Sequence, residues 1–328
     1  MIPSDVRPND ALGGVPGAHL GLSWSPVQGD LLDELEALSR RCEDVDGVPV
    51  RLPRSLIERT YLPAAREHVA MVGRDSRGEL RACASVRMVR GPGRNDVALR
   101  GAIDPAWRGR GVGRAVLGWQ DRWGMAFLAG QEERPATIGV PISAHLVDRR
   151  RLYTAAGFSC HARIELHSRA LTPASAGEAA PRPSGWVTRP ILAADAAAIA
   201  ALGALDTSDP LGFLAGALAV EELARTCDPA VSRMALHGAT LGGAILAHTS
   251  RDLTGEPVGW VHTLLLEPHD DVVASYLLTS TFDAMGAAGL HRAMIRTTPA
   301  TAARWRRSLQ DTGCEPAGVD LLYSIELP

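Results

Sequence analysis

The sequence contains no lysine, so its 34 Lys and Arg positions are all arginines. This absence excludes a Walker-type phosphate loop, because that loop needs a lysine to reach the nucleotide phosphates. It also leaves the protein without a lysine side chain of its own to acylate. The cysteines form no Cys-x-x-Cys pair, which argues against structural zinc and a disulfide scaffold and favours reduced thiols. The five are Cys42, Cys83, Cys160, Cys227 and Cys314.

Long hydrophobic runs are also missing from the sequence. The uncharged run Met234–Ser250 has 17 residues and includes two histidines and three glycines, so it is a poor candidate for a membrane span. The first ten residues, MIPSDVRPND, lack the basic-then-apolar order of a secretory signal. We therefore expect a cytoplasmic protein with no membrane partner.

Length and composition indicate two globular domains. The chain has 328 residues, 46% hydrophobic and 22% charged, and a domain averages about 150 residues. The stretch Thr172–Gly185, rich in Pro, Ala, Ser and Gly, is typical of a linker and predicts domains over 1–171 and 186–328. Residues 1–171 carry 24 arginines against 20 acidic residues, and residues 172–328 carry 10 against 17. The mildly basic first half favours a small anionic ligand over nucleic acid.

Hydrophobic periodicity predicts similar elements in both halves. Short β-prone runs separated by turns over 68–103 indicate an antiparallel meander, and a long helix is predicted over about 111–128. The second half repeats this order of elements without repeating the residues, and one strand is predicted over Met234–Thr249. The long helix carries an apolar stripe that we interpret as core rather than as a ligand box. Its members are Val112, Val116, Trp119, Trp123 and Phe127.

A glycine-rich turn between a predicted strand and this helix carries the clearest chemical signal. It reads Ile-Asp-Pro-Ala-Trp-Arg-Gly-Arg-Gly-Val-Gly-Arg over 103–114. Glycines let backbone N–H groups approach a phosphate, the helix N-terminus adds partial positive charge, and arginines add forked donors. The spacing is Arg-x-x-Gly-x-Gly from Arg108 to Gly113, so it does not match the dinucleotide pattern Gly-x-Gly-x-x-Gly.

This motif resembles the pyrophosphate loop of the GNAT acyltransferase superfamily. A second motif, Leu152-Tyr153-x-x-x-Gly157-Phe158, resembles the end of that family's fourth helix. The resemblance implies an α/β (α+β) fold with two GNAT-like domains, each a mostly antiparallel mixed sheet flanked by helices. It also implies acetyl-CoA as cosubstrate and no metal.

The resemblance further implies roles for individual residues. The backbone of Gly101, Ala102 and Ile103 would pair with the pantetheine arm, and Tyr153 would protonate the departing thiolate as general acid. The loop would hold the pyrophosphate. Its residues are Arg108, Gly109, Arg110, Gly111, Val112, Gly113 and Arg114.

The general base is less well defined. The candidate nearest to the family's acidic position is Asp96, although an ordinary aspartate in a surface turn is the competing interpretation. A base acting through water is a further alternative, and Leu146 stands where family members often carry an asparagine. We interpret the charged run 148–151 as a solvated turn, with a role near the 3′-phosphate as the alternative. The other base candidates are His68, Glu79 and His145.

The second half lacks the residues of the cofactor loop. When Glu267-Pro268 is aligned with Asp104-Pro105, Asp271 stands in the place of Arg108. The glycines are replaced by larger residues, and Leu309 stands in the place of Tyr153. This pattern indicates a degenerate GNAT domain. The whole chain thus resembles tandem GNAT proteins, which include mycothiol synthase and proteins of antibiotic gene clusters. The replacing residues are Val272, Ala274 and Tyr276.

These observations predict an acetyl-CoA-dependent N-acetyltransferase that acts on a small-molecule amine by direct transfer in a ternary complex. One alternative is a scaffold that binds coenzyme A structurally in the first domain, with any chemistry in the second. Another is a protein N-acetyltransferase. The acceptor, the acyl-chain preference and the oligomeric state are left open by the sequence.

Overall fold

The computed structural model describes residues 14–62, 67–91, 94–129, 131, 136–171, 182–205 and 220–327. Two compact units are present. Within the described residues, the first comprises 14–48, 52–161 and 322–327, and the second comprises 49–51 and 162–321. Most of the predicted linker 172–185 lies outside the described residues, and the predicted domain bounds stay a prediction.

The strands of the first unit follow one another in the sheet in chain order. β1 to β4 pair as antiparallel neighbours, whereas β5 joins β4 in parallel. The last six described residues of β12, 322–327, also belong to this unit. The strands are β1 (Ser23–Pro26), β2 (His68–Arg74), β3 (Leu80–Gly91), β4 (Arg94–Ile103), β5 (Ala136–Ser143) and β12 (Glu315–Leu327).

Four helices of the first unit are α1 (Leu32–Asp46), α2 (Arg54–Tyr61), α3 (Val112–Leu128) and α4 (Val147–Ala155). The apolar faces of α1 and α2 contribute to a core with β2 and β3 that includes Leu38 and Val72, both fully buried. All five members of the predicted stripe on α3 are buried, so their interpretation as core is confirmed.

The second unit repeats this arrangement of strands. β7 to β10 are antiparallel neighbours, β11 joins β10 in parallel, and β6 pairs with β11 in the antiparallel sense. The strands are β6 (Ser159–Ala170), β7 (Trp186–Pro190), β8 (Arg233–His237), β9 (Thr240–Arg251), β10 (Pro257–Leu266) and β11 (Arg292–Thr297). The helices are α5 (Ala196–Leu205), α6 (Val220–Thr226), α7 (Asp271–Ala287) and α8 (Pro299–Asp311).

Two predictions of secondary structure in the second unit need correction. The single strand predicted over Met234–Thr249 is a hairpin of β8 and β9, because Gly238 takes a left-handed φ of 61° and reverses the chain. Helix α6 was not predicted. No helix in the described part of the chain combines the length and apolar character that a membrane span needs.

In each unit the two parallel strands separate towards one end. β4 and β5 are paired from Asn95–Ala136 to Ala98–Gly139, while β3 stays paired with β4 as far as Ile103. Beyond Ala98, therefore, one edge of β4 faces away from any partner strand among the described residues. In the second unit, the parallel pairing of β10 with β11 likewise runs from Val258 to Val261.

Candidate active site

Asp104 fixes the chain where β4 ends. Its side chain caps the short 3₁₀ turn Pro105–Trp107 by accepting from the Ala106 N–H at 3.0 Å. Arg41 Nε and Arg81 Nη1 donate to the same carboxylate at 3.0 and 3.1 Å. Burial disfavours the charged form, but these donors outweigh it and the pKa of Asp104 is lowered. The aspartate of the Ile-Asp-Pro motif therefore sets the direction in which the loop leaves the strand.

Glycines give the following loop its shape. Gly109 and Gly111 adopt left-handed φ values of 76° and 85°, which other residues rarely adopt. Helix α3 begins at Val112, and no side chain caps its first N–H groups. At Gly113, an added Cβ would lie 3.1 Å from the Leu152 side chain, so glycine lets α4 approach α3 closely. The loop thus presents backbone donors at a helix N-terminus, which suits an anion.

A cleft of about 670 Å³ opens over this loop, and all its lining residues belong to the first unit. Eight of the predicted site residues line it, and they come from β4, the loop, α3 and α4. They are Gly101, Ile103, Arg108, Gly109, Gly111, Gly113, Arg114 and Tyr153.

Three predicted cofactor residues do not line the cleft. Ala102 packs against the core formed with α1 and α2, and the Val112 side chain is buried. Arg110 places its guanidinium 4.9 Å from the centre of the Trp107 ring. The structure therefore divides the predicted loop into residues that face the cleft and residues that support it.

Gln120 joins α3 to the part of β4 that has separated from β5. This buried side chain donates through Nε2 to the carbonyl oxygen of Arg100 at 2.7 Å and to that of Ser85 at 3.1 Å. Gly101, the next residue along β4, lines the cleft beside Gln120. The sequence did not mark Gln120, because a glutamine inside a helix carries no motif.

Tyr153 lies in the last turns of α4 and is 8% exposed. Its ring meets Phe158 edge-on, with the ring centres 5.2 Å apart. Burial raises the pKa of Tyr153, although the nearby Arg149 and Arg100 act in the opposite direction. The phenol therefore stays protonated at neutral pH and can donate into the cleft.

Asp46, at the end of α1, binds two arginines that line the cleft. Arg108 grips its carboxylate with both terminal nitrogens, at 2.5 and 3.2 Å, and Arg149 donates to it at 2.8 Å. His145 Nε2 lies 2.6 Å from the carbonyl oxygen of Asp46. Because a carbonyl only accepts, Nε2 carries the proton and Nδ1 of the neutral ring is the accepting nitrogen. The predicted phosphate ligand Arg108 is thus held by an aspartate.

The structure places the candidate bases in different surroundings. Asp96 is fully buried in β4, between Val89 of β3 and Thr137 of β5, so the interpretation as a surface turn is wrong. It does not line the cleft, whereas His145 does. The other two are buried His68, whose Nε2 is 3.0 Å from the Thr60 carbonyl oxygen, and Glu79, which pairs with Arg81.

The charged run 148–151 also differs from its interpretation as a solvated turn. Arg149 binds Asp46, and Arg150 donates to the Ala144 carbonyl oxygen at 2.9 Å and to Tyr323 Oη at 3.3 Å. Only the outer pair, Asp148 and Arg151, is solvated, with side chains 100% and 78% exposed. The run places one arginine in the cleft and uses another to hold α4.

The corresponding helix of the second unit, α7, differs from α3 at its N-terminus. The side chain of Asp270 accepts from the N–H groups of Val272 and Val273 at 2.8 and 3.1 Å. A carboxylate of the protein itself thus occupies the donors that would face an anion. No group of three potential metal-binding side chains is found among the described residues.

Comparison with known proteins gives matches only at the level of structure. No protein-family model and no curated protein matches the chain. A GCN5-related N-acetyltransferase from Sphaerobacter thermophilus is 17% identical, with a TM-score of 0.66 over 93% of this chain and 95% of that one. A tandem GNAT protein from the clavulanic acid biosynthesis pathway is 13% identical, with a TM-score of 0.65 over 93% of this chain and 98% of that one. The chain has the tandem GNAT fold.

This tandem GNAT fold confirms the predicted fold class and the resemblance stated from the two motifs. A putative acetyltransferase from Pyrococcus horikoshii shares it at 12% identity, with a TM-score of 0.57 over 94% of this chain and 90% of that one. The cleft belongs to the first GNAT unit. The lining residues that the sequence did not mark for a role in the site include Asp46 and Gln120.

Proposed function

We propose that the protein is an acetyl-CoA-dependent N-acetyltransferase that acts on a small-molecule amine. The observation that carries the proposal is one cleft that combines three features: the free edge of β4, the loop of backbone donors and a buried tyrosine. The GNAT fold supports acyl transfer as the reaction class. The residue roles are extended to this chain from the fold and the motifs.

The cleft residues fit acetyl-CoA as cosubstrate. The free edge of β4 near Gly101 offers N–H and C=O groups to the amides of a pantetheine arm, as an added strand would. Backbone donors from Arg110 to Arg114 suit a pyrophosphate, and Arg114 adds a charged side chain in the same cleft. No metal is required by this arrangement.

Direct transfer then needs an acid, a base and correct placement. The amine attacks the thioester carbonyl, the C–S bond breaks, and Tyr153 donates its proton to the departing thiolate. Its raised pKa keeps the phenol protonated until the thiolate forms. The base that accepts the amine proton is proposed to be a cleft residue or a water. His145 lines the cleft with an accepting Nδ1, whereas the earlier candidate Asp96 does not.

The second unit is proposed to be a degenerate GNAT domain that binds no second acetyl-CoA. The Asp270 carboxylate holds the N–H groups at the start of α7, so an anionic pyrophosphate would meet both like charge and occupied donors. This assigns the cofactor to the first unit alone.

Native mass spectrometry of the purified protein, with and without acetyl-CoA, tests the proposal. We expect one bound copy, lost in Arg114→Glu but kept in Arg122→Glu, which makes the same charge change at an exposed position of the same helix. Arg108→Glu would be less clear, because a second carboxylate would face Asp46. No bound copy in the parent protein would overturn the enzyme proposal, and two copies would overturn the proposal for the second unit.

Thiol release from acetyl-CoA over a panel of small amines then separates enzyme from scaffold. An amine that accelerates thiol release, with an acetylated product of matching mass, supports the transferase. Binding of acetyl-CoA without release for any amine, N-terminal peptide or lysine peptide in the panel favours the scaffold. Release with peptides alone favours a protein N-acetyltransferase.

A further inference from the structure

Asp46 is an unusual residue for its position. It ends α1, where the negative end of the helix dipole disfavours an acidic side chain, and it is only 6% exposed. A buried carboxylate at a helix C-terminus needs cations close by. Arg108 and Arg149 supply this charge, at 2.5 and 2.8 Å from the carboxylate.

The contacts of Asp46 reach three parts of the cleft. The fork of Arg108 fixes the start of the glycine loop, and Arg149 fixes α4 one turn before Tyr153. The main-chain carbonyl of Asp46 orients His145. A single residue of α1 thus holds groups from two elements that are far from it in sequence.

The same group of contacts extends to the end of β4. Arg108 Nε donates to the Ile103 carbonyl oxygen at 3.1 Å, and Cys42 Sγ lies 3.3 Å from the same atom. With its fork on Asp46 and its Nε on β4, the Arg108 side chain braces the turn that leads from β4 into the glycine loop. The proposed backbone donors, Arg110 to Arg114, follow directly after this braced turn.

We propose that Asp46 is a positioning residue for the cofactor loop, acting through Arg108. This rests on the proposed function, because it assumes that the loop binds the pyrophosphate of coenzyme A. Asp46 partly neutralises Arg108 and Arg149, so affinity depends on backbone donors held in one conformation more than on the charges of these two arginines. A loop that is fixed before binding loses less conformational entropy when the ligand arrives.

Asp46→Asn tests the proposal, since it keeps the shape and removes the charge that both arginines grip. Calorimetric titration with coenzyme A needs no acceptor. We expect the Kd to rise about tenfold, as for loss of charge-assisted hydrogen bonds. The opposite outcome, a lower Kd with steeper salt dependence, would show that Asp46 restrains two phosphate-binding arginines and would overturn the proposal.

A control variant separates the positioning role of Asp46 from a general effect of charge in the cleft. Asp148→Asn removes the same charge from the same cleft, but its carboxylate is fully exposed and pairs with the exposed Arg151 at 3.6 Å. It should leave the Kd within about twofold. A tenfold rise in Asp148→Asn as well would overturn a specific role for Asp46.

A double-mutant cycle tests whether Asp46 acts through Arg108. Arg108→Gln alone should weaken the binding of coenzyme A about as much as Asp46→Asn does, and the double variant should weaken this binding little further. Fully additive effects would overturn the proposal. If Asp46→Asn fails to fold, Arg108→Lys keeps the charge and removes the fork, and an unchanged Kd there would also overturn it. Failure of the parent protein to bind coenzyme A would instead refute the proposed function.

Discussion

Tyr153 is the side chain on which the proposed chemistry most depends. Tyr153→Phe keeps the ring packing on Phe158 and removes only the hydroxyl. We expect kcat to fall about 100-fold, the lower range for loss of a general acid, with KM for acetyl-CoA within about twofold. Steady-state thiol release with the identified amine measures this.

Tyr323 supplies the matched control for Tyr153. It is another buried tyrosine of the first unit, but its hydroxyl accepts from Arg150 and it does not line the cleft. Tyr323→Phe should therefore leave kcat within about threefold. Equal losses in the two variants, or none in Tyr153→Phe, would remove Tyr153 as the acid.

His262 should give the second unit a pH-dependent stability. Burial lowers the pKa of His262 well below its usual value, with His248 and Arg296 adding to the shift, and its Nε2 is shielded from solvent. Below about pH 6.5 the unfolded chain binds a proton that the folded ring does not, so stability falls as pH falls.

Urea unfolding between about pH 7 and pH 5 measures this effect, with one group contributing at most about 1.4 kcal/mol per pH unit. His262→Gln should reduce the slope of stability against pH towards acid. The same slope in the variant and the parent protein would assign the pH dependence to other groups.

At the level of the element, the cofactor loop can be tested through its backbone alone. Gly109 and Gly157 both have left-handed φ values, 76° and 90°, and an added Cβ meets nothing within 4 Å at either. Alanine at each should therefore cost about 1 kcal/mol of conformational strain without a clash. Only Gly109→Ala should also weaken the binding of coenzyme A, because a backbone rotation at this residue turns the loop N–H groups away from the cleft. Chemical unfolding and calorimetry separate the two effects, and equal Kd values would argue against binding by the loop.

The same loop shows what could be predicted from the sequence. Local spacing marked Gly109, Gly111 and Gly113, because a strand, a tight turn and a helix N-terminus follow one another within a dozen residues. The partner of Arg108 could not be predicted in this way. Asp46 lies 62 positions earlier, and nothing in a run of Glu-Asp-Val-Asp distinguishes a buried carboxylate from a solvated one.

The elements of the second unit also could be predicted only in part from the sequence. The order of strands and helices was predictable from periodicity, yet the hairpin at Gly238 was missed because its two strands form one continuous uncharged run. The replacement of the loop glycines predicted that the second unit has lost the anion site. The alignment of the two halves did not identify Asp270, one residue before the helix, as the group that binds the helix N–H groups.

At the scale of the whole molecule, the contribution of residues 322–327 to the first unit can be tested by removing them. Removing residues 322–328 deletes Tyr323, which accepts from Arg150 beside the cleft. We expect a Tm lower by at least about 4 °C, as for the loss of one or more buried contacts in a domain of this size, and weaker binding of coenzyme A. Differential scanning calorimetry measures the first and calorimetric titration the second. A chain ending at residue 327 is the matched control, and equal Tm values for the two would contradict the prediction.

The first unit is built from separate segments of the chain, and this affects the order of folding during synthesis. Residue 322 leaves the ribosome about 160 positions after residue 161, the last residue of the unit's longest segment. At translation rates of about 5–20 residues per second, this delay is about 8–30 s. Throughout that interval the nascent chain carries an unfinished sheet, which is a natural substrate for chaperones. The unit that contains the cleft thus starts before the second unit along the chain and is completed after it.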